Sequence, residues 1–420
     1  MIMNRTILAA LSGMVLIAAP ASAQLPQASA AALGFGFNMT ASSYGFAAVA
    51  NNPAGLGHPN SPGMSLAIPA IIAEAGVGPV TLADLVLYEG GVVPDNIKSE
   101  WLQRVTASGG QAGALSAGVT PLALSVGPVA FQLSAMAGGR ASLNADAVEL
   151  LMYGNAGQSG SASDFDLQDS SIDGYVLTTG AVSMGFQTSP GLYLGATAKY
   201  TVGNVLAVGR DGGSSLNSSP LSVELDFPMI VNDSSETFNN GSGVGLDLGA
   251  IWVGEGITLG AKIENIVNTF EWSLAAMSYI PGQAVFDATE STSDFDEQPA
   301  SSAPTAFQQV VADLTLKPAF SVGAEFTPND MLQLRADVRK RSSGGMELGP
   351  EFHMGVGAEL RALSILPIRA HVAKVTGGTQ IGGGASLVLG PVHLSGGIAL
   401  RTAAAENSTL GMFTLSFGAH

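Results

Sequence analysis

Residues 332–339 read Leu-Gln-Leu-Arg-Ala-Asp-Val-Arg, so that Leu332, Leu334, Ala336 and Val338 share one face of an extended chain and Gln333, Arg335, Asp337 and Arg339 the other. A two-residue period is that of a β-strand, whose successive side chains point to opposite faces. Just upstream, from 312 to 326, Leu314, Leu316, Phe320, Val322, Ala324 and Phe326 alternate with Asp313, Thr315, Lys317, Ser321 and Glu325, which predicts a second strand. Downstream, Met354, Val356, Ala358 and Leu360 oppose His353, Glu359 and Arg361. Ile368, Ala370 and Val372 oppose Arg369 and His371, while Leu394, Ile398 and Leu400 oppose His393, Ser395 and Arg401.

The same alternation extends toward the N-terminus, through Ile257, Leu259, Ala261 and Ile263, Val244 to Trp252, and Leu192 to Val202. A soluble β-sandwich shares the period, but its strands usually run about five or six residues, whereas membrane strands need about ten. With runs of the longer kind, the expectation is a transmembrane antiparallel β-barrel.

Composition agrees. The chain has 420 residues, 12% of them charged, no Cys, 54 Gly and a net charge of −17, with a mean hydropathy of +0.33. Few charges and much apolar surface exclude a disordered polymer. The missing thiols exclude a disulfide framework and Cys-ligated zinc. With 16 basic residues against 33 acidic ones, nucleic acid is not an expected partner. Met1 to Ala23 reads as a secretory leader: Arg5, an apolar run from Ile7 to Ala19, and Ala21-Ser22-Ala23 before the cut. No later apolar run is long enough for a spanning helix.

Thr327-Pro328-Asn329-Asp330, Thr376-Gly377-Gly378 and Leu389-Gly390-Pro391 predict short turns, and 204–240 and 275–306 read as long loops. Segments 81–105 and 143–153 look helical and are placed at the rim. Counting segments, and taking the even number that bacterial single-chain barrels use, gives an expectation of about 14 strands.

Before the first strand, residues 40–57 form a small-residue segment running into Asn52-Pro53-Ala54-Gly55-Leu56. Pro53 biases Asn52 to an extended backbone, and Gly55 permits a sharp turn. This opening resembles that of FadL-type long-chain fatty-acid transporters and is similar also to PorV-like outer-membrane proteins. Gly243 to Ala250, Ile263 to Ile266 and Lys317 to Ala324 extend the resemblance over most of the chain. With the leader at 1–23, the resemblance implies an inward-folded hatch at 24–62 carrying Asn52, Pro53, Ala54 and Gly55, and a barrel at 63–420 in the bacterial outer membrane. It implies passive transport of a hydrophobic, fatty-acid-like molecule that leaves sideways through a kinked strand. The alternative it implies is a PorV-like barrel that transports nothing and binds a secreted protein partner. Membrane lipids and lipopolysaccharide are the expected surroundings.

With the apolar faces turned to lipid, the interior is expected to hold Asp313, Lys317, Glu325, Arg335, Asp337, Arg339, Glu359, Arg361, Arg369, His371, His393 and Arg401, largely as ion pairs between strands. His393 and Ser395 share a face but lack a nucleophile elbow, so no catalytic residue is assigned. The acids Asp287, Glu290, Asp294, Asp296 and Glu297 follow no EF-hand spacing, and no metal site or cofactor is assigned.

Overall fold

The computed structural model describes residues 25–233, 238–289, 291–403 and 407–418; the expected leader, Glu290 and His420 lie outside them. The architecture is a closed ring of fourteen strands. In chain order they are β1 (Met64–Gly78), β2 (Gln111–Val126), β3 (Val129–Leu143), β4 (Ser171–Ser189), β5 (Leu192–Arg210), β6 (Gly241–Val253) and β7 (Ile257–Asn268). They continue as β8 (Ala319–Asn329), β9 (Leu332–Arg341), β10 (Phe352–Leu360), β11 (Ile368–Val375), β12 (Gly378–Leu389), β13 (Val392–Ala403) and β14 (Asn407–Phe417). Each pairs antiparallel with its chain neighbour, and β1 closes on β14 with Leu66 opposite Phe417. Closure leaves no sheet edge, which is what a strand structure needs in a solvent that offers no hydrogen bonds.

The alternation read from the sequence is the wall. Val182, Met184, Leu259, Val356, Val372 and Ile398 point outward and are exposed, while Ser183, Thr197, Ser321 and His353 are buried inside. Outward apolar residues on every side are tolerable only against lipid. Phe131, Phe186, Trp252, Phe326 and Phe417 stand exposed near strand ends at one rim, as an interfacial aromatic girdle does. No described helix is long and apolar enough to cross a membrane.

That rim carries short turns, such as Gly127-Pro128 and Pro190-Gly191; the opposite rim carries the long loops. The segment after β1 holds helices Leu82–Val86 and Asp95–Ser108, and the one after β3 holds helix Ala145–Tyr153, where the sequence predicts helices. The loops after β5 and β7 are more structured than their Ser/Asn/acid composition implies. They contribute Ser215–Ser218, Leu221–Asp226, Gln283–Phe286 and Ser291–Asp294 to a five-stranded sheet completed by Phe165–Asp166. The strand expected from residue 312 begins only at Ala319, because Thr305–Asp313 is a helix and Pro318 withholds a donor from the ladder. Asp313 is therefore an exposed residue at a helix end, and Lys317 sits in the connection ahead of β8; neither is a wall charge.

Two prolines interrupt the wall. Ala67 pairs with Ala123 and Ala70 with Thr120, which sets Ile68 and Pro69 opposite Leu122 and Pro121 with no ladder pairing between them. The register slips on both flanks as well, between Ala67 and Ala70 toward β14 and between Val119 and Leu122 toward β3. A proline has no N–H to give, so two facing prolines erase the local ladder, and the bulges flip the inward phase of each strand.

Candidate functional site

Residues 25–63 fold back into the ring and are almost wholly buried there. Three short turns of helix, Ala31–Gly34, Ala48–Asn51 and Pro53–Gly57, touch different parts of the wall: the first packs on β11–β13, the last on β4–β6. Asn52 is the anchor. Its backbone is extended, as the following proline requires. Its amide donates to Thr40 O (2.7 Å), Ala250 O (3.1 Å) and Ala261 O (3.3 Å), the last two on β6 and β7, while Oδ1 accepts from Ala54 N (3.2 Å). One fully buried side chain thus ties the segment to itself and to two strands.

The wall is shaped to receive it. Gly185, Gly195 and Gly249 stand in register across β4, β5 and β6. A Cβ on Gly195 would overlap the Pro53–Ala54 peptide, one on Gly249 the Asn52 amide, and one on Gly260 the Thr40 carbonyl. Gly55 is equally constrained, since a Cβ there would overlap the Ser43 carbonyl. These glycines exist for close backbone approach rather than for turn formation.

The opposite wall holds the segment with charges. Asp337 Oδ2 accepts from Met39 N (3.0 Å) and Thr40 N (2.9 Å). The Arg335 guanidinium lies 3.9 Å from the Phe35 ring centroid and pairs with Glu325 at 3.0 Å. His353 Nε2 lies 3.1 Å from Asn38 Oδ1. Glu359 pairs with Arg369 at 2.6 Å and with Arg361, which stands beyond the end of β10 and is half exposed. Arg401 pairs with Glu74 on β1. Arg339 faces the interior without a hydrogen bond or ion pair among the described residues, and His393 is only partly buried near the short-turn rim. Ser395 shares its hydroxyl hydrogen bond with Ser386 at 2.7 Å.

A second buried charge cluster escapes the sequence reading. Lys199 pairs with Asp247 at 2.6 Å, and Lys262 pairs with Glu264 at 3.0 Å while donating to Ala50 O at 2.7 Å. Their signal was present, since all four occupy the polar phase of alternating segments. Glu74 had no readable signal because the bulge at Pro69 shifts the inward phase of β1. His58 stacks on Tyr44, with ring centroids 4.7 Å apart, and burial pushes its imidazole pKa below the ordinary histidine value, against the opposing pull of Glu325.

Two kinds of interior follow. Between the segment and β7–β10, Gln27, Asn51, Glu264, Asp337, Arg339 and His353 line a polar space of only about 20 Å³. Toward the long-loop rim the filling is apolar. Leu206, Ile230, Phe270, Trp272, Phe307 and Met346 belong to one buried cluster that also contains Leu33 of the segment, with Phe37 packed against it. Behind the proline gap, Ala28, Phe46 and Ala47 of the segment pack on Ala67 and Ala123.

No family model matches the sequence, and no curated protein matches it significantly. Solved structures do match its fold. The Pseudomonas putida toluene transporter TodX aligns with a TM-score of 0.56 at 11% identity, over 92% of this chain and 98% of its own. A Pseudomonas aeruginosa FadL homologue aligns at 0.52 and 14% identity, over 95% and 100%. The monoaromatic hydrocarbon channel CymD gives 0.53 and 12%, over 95% and 99%. A closed fourteen-stranded ring with residues 25–63 in its bore, matched over more than nine-tenths of the chain by these structures, gives the chain the fold of the FadL-type transport barrels.

Proposed function

We propose that the chain is a passive outer-membrane channel for hydrophobic small molecules, with residues 24–62 as its hatch and 63–420 as its barrel. The observation that carries this reading is the connected apolar cluster running from the long-loop rim to Leu33 on the hatch. Ligand would enter at that rim and partition among the aromatic side chains. A shift of the hatch about its Asn52 anchor would then open a way past Phe46 to the gap between Pro69 and Pro121. Leaving sideways there spares an apolar molecule the aqueous exit, and nothing in the route calls for covalent chemistry. The leader at 1–23 would export the chain, and lipopolysaccharide would surround the long-loop half. The solved structures that support this reading are a toluene transporter and a monoaromatic hydrocarbon channel.

The packed polar space at the hatch favours a second reading, a barrel that offers its outer surface to a secreted protein and conducts nothing. Binding of a fluorescent long-chain fatty acid, with toluene as competitor, separates the two. Saturable binding to the refolded barrel that weakens in Asn52→Ala and on deletion of 24–57 supports the channel. Absence of binding of either ligand, with the strands intact by circular dichroism, moves the assignment to the scaffold.

A further inference from the structure

A single file of polar groups crosses the interior from β1 to the hatch. Arg401 donates to Glu74 through one terminal nitrogen and to Gln380 Oε1 (3.0 Å) through the other. Gln380 Nε2 lies 3.2 Å from His371 Nε2, and His371 Nδ1 lies 3.2 Å from Gly34 O on the hatch. The proton positions follow from the ends of the file. Guanidinium only donates, so the Gln380 oxygen must face Arg401 and its NH2 must face the ring. A carbonyl only accepts, so Nδ1 must carry the hydrogen. His371 is thereby fixed as the neutral Nδ1–H tautomer, with Nε2 as an acceptor.

A proton on Nε2 has no place in this arrangement. It would meet the amide hydrogens of Gln380, which cannot turn over without presenting NH2 to Arg401. The cationic and titratable groups around the ring add to the conflict. Arg369 shares the inward face of β11, His353 faces in from β10, and Arg401 stands at the other end of Gln380. The carboxylates nearby, Glu74 and Glu359, already serve Arg401 and Arg369. On the hatch side the ring is close-packed, since a Cβ at Gly36 would lie 2.5 Å from His371 Cδ2. Phe37 follows with φ of +66°, a left-handed backbone that a bulky residue keeps only while its surroundings impose it.

We propose that His371 is an acid-released clasp on the hatch: neutral, it holds Gly34; protonated at Nε2, its ring leaves the slot and residues 34–42 loosen. Arg401 and Gln380 are positioning residues that fix its tautomer. The proposal rests on the hatch reading above and adds its regulation.

The chain has no cysteine, so one thiol can report the hatch. Ser42 is 1% exposed and its hydroxyl has no partner among the described residues, so Ser42→Cys is a mild probe. Maleimide reacts with the thiolate, so labelling is divided at each pH by that of the exposed reference thiol in Ser301→Cys. So normalised, labelling of the full barrel in liposomes, in a His58→Phe background, is expected to accelerate about tenfold between about pH 7.5 and pH 5. Gln380→Glu, which offers Nε2 an acceptor, should hold the imidazolium and shrink that acceleration at least about fivefold. His371→Gln should remove it. Labelling that does not respond to pH, or that responds equally in Gln380→Glu, overturns the clasp. Uptake measured on the same liposomes keeps the two readings apart: absent uptake with acid-dependent labelling sinks the channel and leaves the clasp, and the reverse result sinks only the clasp.

Discussion

Pro69 on β1 stands directly opposite Pro121 on β2, so the wall lacks backbone donors on both sides of the same rung. Single-strand bulges interrupt the ladder elsewhere, as between Leu246 and Leu248 or between Phe326 and Asn329, but there no two prolines face each other across the rung. The pairing of the two prolines localises weakness to one seam, backed by the small residues Ala28 and Ala47.

The seam can be stapled. Ile68 and Leu122 are opposed in the gap, and opposed positions on antiparallel strands lie within reach of a disulfide. Ile68→Cys with Leu122→Cys should oxidise readily, leave ligand binding intact and reduce delivery into the bilayer about tenfold or more, with recovery on reduction. Unchanged delivery through the stapled barrel would place the exit elsewhere.

Asn52→Ala removes donors to three buried carbonyls at once. Losing such hydrogen bonds should weaken hatch docking by about 2 kcal/mol or more, roughly thirtyfold in labelling of Ser42→Cys. Strand content by circular dichroism should stay as it is.

Gly195→Val tests the fit of wall to hatch. The new side chain would occupy the space of the Pro53–Ala54 peptide, and overpacking of this kind costs about 1–3 kcal/mol. Chymotrypsin cleavage at Tyr44 or Phe46, or maleimide labelling of an added Ser42→Cys, should rise, whereas Gly180→Val, at a position with open space around its α-carbon, should change nothing.

Asp247→Ala leaves Lys199 and Lys262 buried without their shared carboxylate. Removing one member of a buried ion pair costs about 3–5 kcal/mol. The urea midpoint in micelles should fall accordingly, and Asp247→Ala/Lys199→Met should recover part of the loss.

Acid should open the rim helices separately from the hatch. Asp84 is partly desolvated, which alone would raise its pKa, but the Thr81 hydrogen bonds and Arg104 outweigh this and hold the carboxyl below its usual range. Its contribution is therefore present above about pH 4 and lost as the pH falls below that, through the lower folded-state value. Hydrogen-exchange protection across 81–105, taken relative to the intrinsic rate at each pH, should fall in that window, and Asp84→Asn should abolish the pH-dependent fall.

The wall was legible because lipid on one side and polar filling on the other enforce a strict two-residue period, as in Leu332 to Arg339. The same rule misplaced Asp313 and Lys317. A short amphipathic helix, Thr305–Asp313, carries apolar residues often enough to imitate alternation at its boundary with the strand. The Asn-Pro-Ala turn was legible through local backbone chemistry. Its partners were not, because Ala250 O and Ala261 O are backbone atoms that leave no trace in side-chain pattern. Gly195 and Gly249 looked like ordinary strand glycines until the segment lying against them was seen. Glu74 was lost for a different reason: one extra residue at Pro69 reverses which side every later residue of β1 faces.

The row of wall glycines also constrains the order of assembly. Residues 25–63 precede every strand in the chain, yet the chamber that holds them exists only once β1 has met β14. Glycine at Gly185 and Gly195 lets the main chain of the segment lie against the main chain of the wall, with no side-chain layer between them to repack, and Gly249 makes room for the Asn52 amide. The segment therefore acts as a former on which β4 to β6 can settle, and the join of first strand to last becomes the moment of enclosure. A chain deprived of this former still has the pattern to close, but it would close around water.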